Sequence, residues 1–108
     1  MAIAADAHTA LAFVRQQAAG GRATYTEKAI QEFRSFAAEL GTDDIRACLR
    51  GVREEEVVSY EPDHTRPDRM VLKLKALVSG RACYCKVALR PGWDRTVAVL
   101  SFKAWRGS

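Results

Sequence analysis

Two lysines and two aromatic side chains recur near the end of the chain, in the segment ACYCKVALRPGWDRTVAVLSFKAW (residues 82–105). Tyr84 and Lys86 interrupt an apolar run before a Pro-Gly-Trp-Asp turn, and Lys103 and Trp105 interrupt the run after it. If both runs are strands of one hairpin, alternation can bring all four side chains to one face. Lysines beside aromatic rings suit a partner that carries phosphates and stacked bases.

These side chains could support RNA cleavage without a metal ion. In that reaction the 2′-hydroxyl attacks the adjacent phosphate, so it needs a base, positive charge at phosphorus and an acid for the leaving 5′-oxygen. Lys86 and Lys103 could supply the charge, and Tyr84 could give or take a proton. His64, in the loop EPDHTRPD, is the other obvious proton-transfer group, and Trp105 could stack a base. No carboxylate cluster in the sequence is typical of a two-metal site.

Strand alternation in the second half of the chain has to position these groups. The segments RMVLKLKALV, ACYCKVAL and TVAVLSFKAW alternate and are joined by turns, which predicts an antiparallel meander, with a further strand at VVSYEP. The face packed on the helices is expected to carry Leu72, Leu74, Cys85, Val87, Leu100 and Phe102. The opposite face is expected to carry Lys73, Lys75, Tyr84, Lys86, Ser101, Lys103 and Trp105.

Helical periodicity in the first half predicts three helices, the third of them short. Asp6 or Thr9 can cap the first helix, and Thr24 or Thr26 the second, which we expect to run as far as Gly41. The third lies in TDDIRACLRGV. Helices followed by strands predict an α+β domain, in which two to three N-terminal helices pack on one face of a C-terminal antiparallel sheet of three to four strands.

Length and composition narrow the class of protein. The 108 residues suffice for a single domain, residues 1–108, and 48% of them are apolar. The formal net charge of +4 favours an acidic partner such as nucleic acid. Three cysteines, an odd number, favour a reducing compartment. No signal peptide and no run long enough to span a membrane is visible, so we expect a cytoplasmic protein with no membrane partner.

Three stretches carry a resemblance to a known family. LAFVRQQAAGGRATYTEKAIQEFRSFAAELG is similar to its two opening helices, and IRACLRGVREEEVVSY to its next helix and first strand. GRACYCKVALRPGWDRTVAVLSFK is similar to its Tyr-x-Lys strand and its terminal Ser-Phe-Lys. Residues 11–103 thus resemble the MqsR (motility quorum-sensing regulator) toxins of bacterial toxin–antitoxin systems, whose fold is RelE-like.

The resemblance implies an endoribonuclease that cuts messenger RNA, free or on the ribosome, and thereby halts translation. It also implies a cognate antitoxin protein as a partner, and neither a cofactor nor a metal ion. The family's strand tyrosine falls on Tyr84, its following lysine on Lys86 and its terminal lysine on Lys103. The chain departs from the family at Ser59, where the family has a lysine, and at Asp68, where it has a glutamine.

Further residues are candidates for binding RNA rather than cutting it. We expect phosphate contacts from Lys73, Lys75, Arg69 and Arg81, and base stacking from Trp105. Two other functions fit the same residues. The chain could be a non-catalytic module that binds RNA or an acidic protein, or a small interaction domain with no nucleic-acid role, whose lysines only keep a sheet face solvated.

Overall fold

Three helices and a five-stranded sheet make up the fold in the computed structural model of the chain, which confirms the predicted α+β class. The structure describes residues 6–39, 41–66, 68–78, 80–89 and 97–105, so the predicted turn at residues 90–95 lies outside it. A short 3₁₀ helix, Glu54–Glu56, precedes the second strand. The elements are α1 (Ala7–Ala19), β1 (Ala23–Tyr25), α2 (Glu27–Phe36), α3 (Thr42–Arg50), β2 (Val57–Pro62), β3 (Met70–Val78), β4 (Arg81–Leu89) and β5 (Val97–Ala104).

Side-chain caps begin the first two helices as the sequence predicts. The Asp6 carboxylate accepts from the Thr9 backbone N–H at 2.8 Å, and the Thr26 hydroxyl accepts from the Ala29 N–H at 3.1 Å. The end of α2 was predicted wrongly, because the chain leaves the helical conformation at Ala37 rather than at Gly41. Ala37 is fully buried there, so packing against the core ends the helix about one turn early.

The sheet has the order β1-β5-β4-β3-β2. The predicted meander of β3, β4 and β5 is confirmed, and β2 pairs antiparallel with β3. Gly80, at a φ of 78°, allows the tight reversal from β3 into β4. The sequence did not predict β1, whose three residues are too short for alternation to be visible. Because β1 runs parallel to β5, the sheet is mixed rather than purely antiparallel.

The pairing of β5 with β4 shifts by one residue at Leu100. Lys86 lies opposite Ser101, but its neighbour Val87 lies opposite Val99, so one extra residue stands on β5. Such a β-bulge reverses the alternation of the strand that carries it. Val99 is therefore buried in the core, and the prediction that Leu100 would face the helices with Phe102 was wrong.

Helix α2 packs on β5 through an aromatic pair. The rings of Phe33 and Phe102 meet edge to face, with centroids 5.2 Å apart and planes at 87°. Both side chains belong to the core that the helices share with one face of the sheet. The largest fully buried side chains are Phe33, Phe102, Leu11, Ile45, Leu49, Leu72, Leu74, Val14, Val52, Val71, Val87 and Val97.

The same helix also covers the edge of β5 where β1 ends. Glu32 accepts from the Phe102 backbone N–H at 3.2 Å and from the Ser101 hydroxyl at 2.7 Å. Thr26 donates its hydroxyl to the Leu100 carbonyl at 3.1 Å. These side chains replace the strand partner that the edge would otherwise lack. Ser101, predicted on the open face, is consequently only 3% exposed.

Removal of the Phe102 ring should destabilise the fold strongly. We expect Phe102→Ala to lower the free energy of unfolding by about 3–5 kcal/mol, because it leaves a cavity against Phe33. Urea denaturation measures this change. Leu77→Ala is the control, since Leu77 is 57% exposed, and it should change the same quantity by less than about 0.5 kcal/mol. Equal effects of the two substitutions would contradict the packing described here.

Candidate nucleic-acid interface

Four of the five lysines of the chain lie on the sheet face opposite the helices. In β3 and β4, alternate residues such as Leu74 and Cys85 pack into the core, so their neighbours point to the other side. Beyond the bulge, β5 also turns Lys103 outward, and Lys103 is exposed. We call the resulting surface the lysine face; it consists of Lys73, Lys75, Tyr84, Lys86, Lys103 and Trp105.

The strand register arranges these residues in two rows across the sheet. In one row Lys73 pairs with Lys86, which in turn pairs with Ser101. In the next row Lys75 pairs with Tyr84, which pairs with Lys103. Directly opposed side chains have Cβ atoms about 4.5–5.5 Å apart. The predicted catalytic residues Tyr84, Lys86 and Lys103 are therefore brought together, as the sequence indicates.

Two of the ammonium groups lie over aromatic rings. The Lys75 Nζ is 5.0 Å from the centroid of the Trp105 ring, and the Lys103 Nζ is 5.7 Å from that of Tyr84. The two rings are themselves 6.1 Å apart and inclined at 36°. Cation–π attraction holds each lysine beside a ring face. This end of the lysine face thus places positive charge beside aromatic surface, the combination that a phosphate chain with bases attached requires.

The indole of Trp105 carries an unused hydrogen-bond donor. Its Nε1 is buried and has no acceptor in the part of the chain that the structure describes. The backbone N–H of Trp105 donates to the Ala82 carbonyl at 3.0 Å, which ties the end of β5 to β4. Backbone pairing, rather than the indole nitrogen, therefore positions this ring on the face.

A carboxylate that sequence reasoning missed adjoins the lysine face. Glu61, on β2, binds the Lys73 ammonium at 2.7 Å. The hydrogen bond from Lys73 lowers the pKa of Glu61, and the same bond raises the pKa of Lys73. His64, exposed in the turn after β2, is near enough to lower the pKa of Glu61 further. Among the described residues, Lys75, Lys86 and Lys103 form no such ion pair.

The register between β2 and β3 explains why Glu61 was missed. It shifts between Val57 and Ser59, and this irregularity places Ser59 opposite Lys73. Glu61 lies two residues beyond Ser59 on β2, so the register has to be known before Glu61 can be placed near Lys73. Ser59, one of the two departures from the MqsR pattern, thus borders the lysine face, whereas Asp68 is exposed in the turn between β2 and β3.

Two arginines predicted to bind RNA lie elsewhere. The Arg69 Nε donates to Asp63 at 2.6 Å, and its side chain is only 13% exposed. Arg81 shares the helix-facing side of β4 with Cys83 and forms an ion pair with Glu39 at 3.0 Å. Arg69 thus helps to close its turn, Arg81 forms an exposed ion pair, and the lysine face includes neither.

Asp63 closes the turn between β2 and β3. Its carboxylate accepts from the Thr65 backbone N–H and hydroxyl, both at 2.9 Å, as well as from Arg69. The Asp63 backbone N–H donates to the Arg69 carbonyl at 3.0 Å. This network positions the turn that carries His64 beside the lysine face.

No metal centre or membrane span emerges from the described part of the chain. No group of three or more histidine, cysteine, aspartate or glutamate side chains gathers there in a way that could hold a metal ion. None of the described helices is long and apolar enough to cross a membrane.

Loss of the Asp63 carboxylate should destabilise the protein in a pH-dependent way. Its hydrogen bonds, first with the Thr65 N–H and then with Arg69, hold the pKa of Asp63 well below its ordinary value. A depressed folded-state pKa stabilises the fold above the unfolded pKa of about 3.9, and this stabilisation is lost as the pH falls further. We expect Asp63→Asn to lower Tm at neutral pH, with a difference from wild type that shrinks below about pH 4.

Thermal unfolding between neutral and acid pH measures this difference. Asp68→Asn is the matched control, because Asp68 is an exposed aspartate of the same turn and should leave Tm unchanged. A gap between wild type and Asp63→Asn that stays constant over the whole pH range would mean that the carboxylate charge contributes nothing.

Comparison with known proteins assigns no family to the chain. No protein-family model, no curated protein and no solved structure matches it. The likeness to the MqsR toxins therefore rests on the sequence stretches quoted above, and a function has to be argued from the lysine face itself.

Proposed function

We propose that the lysine face binds single-stranded RNA and cleaves it, as expected of an MqsR-like messenger-RNA endoribonuclease toxin that a cognate antitoxin neutralises. One observation carries the proposal: four of the five lysines surround Tyr84 and Trp105 on one sheet face. Glu61 pairs with Lys73, so Lys75, Lys86 and Lys103 are the lysines of this face that offer their charge to an anionic partner.

The roles follow from the two rows of side chains. A phosphate over the group formed by Tyr84, Lys86 and Lys103 lies near Lys103, which is opposite Tyr84, and near Lys86, which is two residues further along β4. As the 2′-oxygen forms its bond to phosphorus, the lysines stabilise the growing negative charge. The bond to the 5′-oxygen then breaks, and the Tyr84 hydroxyl can protonate that leaving group. The products are a 2′,3′-cyclic phosphate and a 5′-hydroxyl, with Trp105 stacking a neighbouring base.

Two groups beside the lysine face are candidate proton acceptors for the 2′-hydroxyl. Glu61 is held by Lys73 and has a lowered pKa, which makes it a weak base. His64 is exposed in the adjacent turn and is the alternative acceptor. This arrangement favours a second candidate function, in which the lysine face binds RNA without cutting it. Ser59 and Asp68, which depart from the MqsR pattern, support the same alternative.

Binding to RNA should weaken steeply with salt. We expect the slope of log K against log salt to be about −2 to −3 if three or four phosphates are neutralised on a single strand. Lys86→Ala should make the slope shallower by about 0.7, because one phosphate contact is lost. Fluorescence anisotropy of a short labelled single-stranded RNA over a potassium chloride series measures both values.

Lys28→Ala is the matched control for charge. It removes the one lysine outside the lysine face, an exposed residue of α2, and should leave the salt slope unchanged. If Lys28→Ala and Lys86→Ala weakened binding equally, the affinity would be that of any basic protein, and the proposal would lose its support.

Cleavage should depend on the residues that flank the phosphate. We expect wild type to leave 2′,3′-cyclic phosphate ends on single-stranded RNA, and Tyr84→Phe and Lys103→Ala each to slow this by about 10²-fold. Gel analysis of product ends measures the rates, and growth arrest on induced expression in bacteria should be relieved by the same substitutions. Intact RNA that remains bound would favour the non-catalytic module. Cleavage that neither substitution slows would move the chemistry to His64.

A further inference from the structure

Two cysteines from different elements, α3 and β4, lie close together. Cys48 is on α3 and half-buried, while Cys83 is on β4 and fully buried. Each thiol is near enough to the other to shift its pKa, and Cys48 lines the same cavity as Ala76. The Cys83 Sγ also lies 3.3 Å from the Ala76 carbonyl on the neighbouring strand. The two thiols are free in the structure, so the fold has brought together a pair that a covalent bond could join.

A cavity gives small molecules access to one member of this pair. It has a volume of about 220 Å³ and is lined by Cys48, Val52, Arg53 and Ala76 among others. Arg53 and the adjoining Gly51 are exposed, so this cavity begins at the surface. Because a water molecule occupies about 30 Å³ in the liquid, the space is ample for a hydroperoxide.

The two thiols differ in acidity as well as in access. The hydrogen bond with Cys83 lowers the pKa of Cys48. The same bond, together with burial, raises the pKa of Cys83. The nearby Glu56 carboxylate raises the pKa of Cys48, but this pKa stays below its ordinary value. Cys48, which lines the cavity, is the thiol that a reagent reaches first, and the buried Cys83 is the second thiol.

We propose that Cys48 and Cys83 form an oxidisable dithiol site that reacts with hydroperoxides. The Cys48 thiolate attacks one oxygen of hydrogen peroxide, the O–O bond breaks, and hydroxide leaves and takes up a proton to become water. Cys48 is then a sulfenic acid. The Cys83 sulfur attacks the Cys48 sulfur, the S–O bond breaks, and water leaves with the Cys83 proton. Two thiols are thus oxidised to one disulfide while the peroxide is reduced to two waters.

The disulfide would join α3 to β4, the strand that carries Tyr84 and Lys86. The proposal does not depend on the lysine face binding RNA, because it rests on the two thiols and the cavity alone. Cys85 provides an internal comparison. It points to the same side of β4 but is completely buried, and that burial raises its pKa well above the ordinary value.

Mass spectrometry of the peroxide-treated full chain tests the site. After treatment with hydrogen peroxide and alkylation, we expect wild type to lose the mass of two hydrogens, to take up one alkyl group, and to yield a peptide pair linked through Cys48 and Cys83. Cys48 should also lose its free thiol at least about tenfold faster than Cys85. Cys85→Ser should form the same disulfide as wild type.

Variants of the pair separate the two steps. Cys83→Ser should halt the reaction at the Cys48 sulfenic acid, which dimedone traps, and Cys48→Ser should form no disulfide. Three alkylated cysteines in peroxide-treated wild type, or a disulfide that involves Cys85, would overturn the proposal. The disulfide between Cys48 and Cys83 is measured in wild type, so the test holds even if Cys83→Ser impairs folding.

Discussion

Strand β5 has to bury valines at one end and expose a lysine at the other. Val97, Val99 and Lys103 are all odd-numbered, so strict alternation would put them on the same face. The bulge at Leu100 resolves the conflict, because it reverses the alternation while pairing with β4 continues on both sides. The core beneath Val99 and the open surface around Lys103 are both built on this one irregularity.

Two arginines that were predicted to bind RNA form ion pairs instead, whereas three lysines on the sheet face form none among the described residues. Arg69 forms a largely buried ion pair with Asp63 that closes a turn, and Arg81 forms an exposed ion pair with Glu39. The guanidinium group, planar and rigid, is well suited to such fixed pairing. A lysine carries a compact charge on a flexible stem, which is less suited to fixed pairing. If the lysine face binds RNA as proposed, Lys75, Lys86 and Lys103 would contact its backbone rather than read its base sequence.

Much of the fold was accessible from sequence, and the exceptions have a common cause. Regular alternation in β3 and β4 correctly placed Lys73, Lys75, Tyr84 and Lys86 on one face. Leu100 was misplaced because the bulge depends on how β5 pairs with β4, and the sequence of β5 alone does not locate it.

The same limit applies to the candidate site. The ion pair between Glu61 and Lys73 depends on the register of β2 against β3, and that of Arg69 with Asp63 depends on how a turn closes. Likewise β1 is too short to be recognised until β5 lies beside it. Local periodicity predicts elements and faces, whereas contacts between elements decide which charges remain available for a ligand.

The parallel pairing of β1 with β5 also has a consequence for how the chain is made. Ala23 is paired with Val97, so β1 can enter the sheet only after the last of the five strands has left the ribosome. Until then the apolar side of α2, including Phe33, lacks the strand on which it packs. Such long-range closure slows folding and prolongs the exposure of apolar surface. The segment from α1 to β4 therefore emerges before the strand that completes its core.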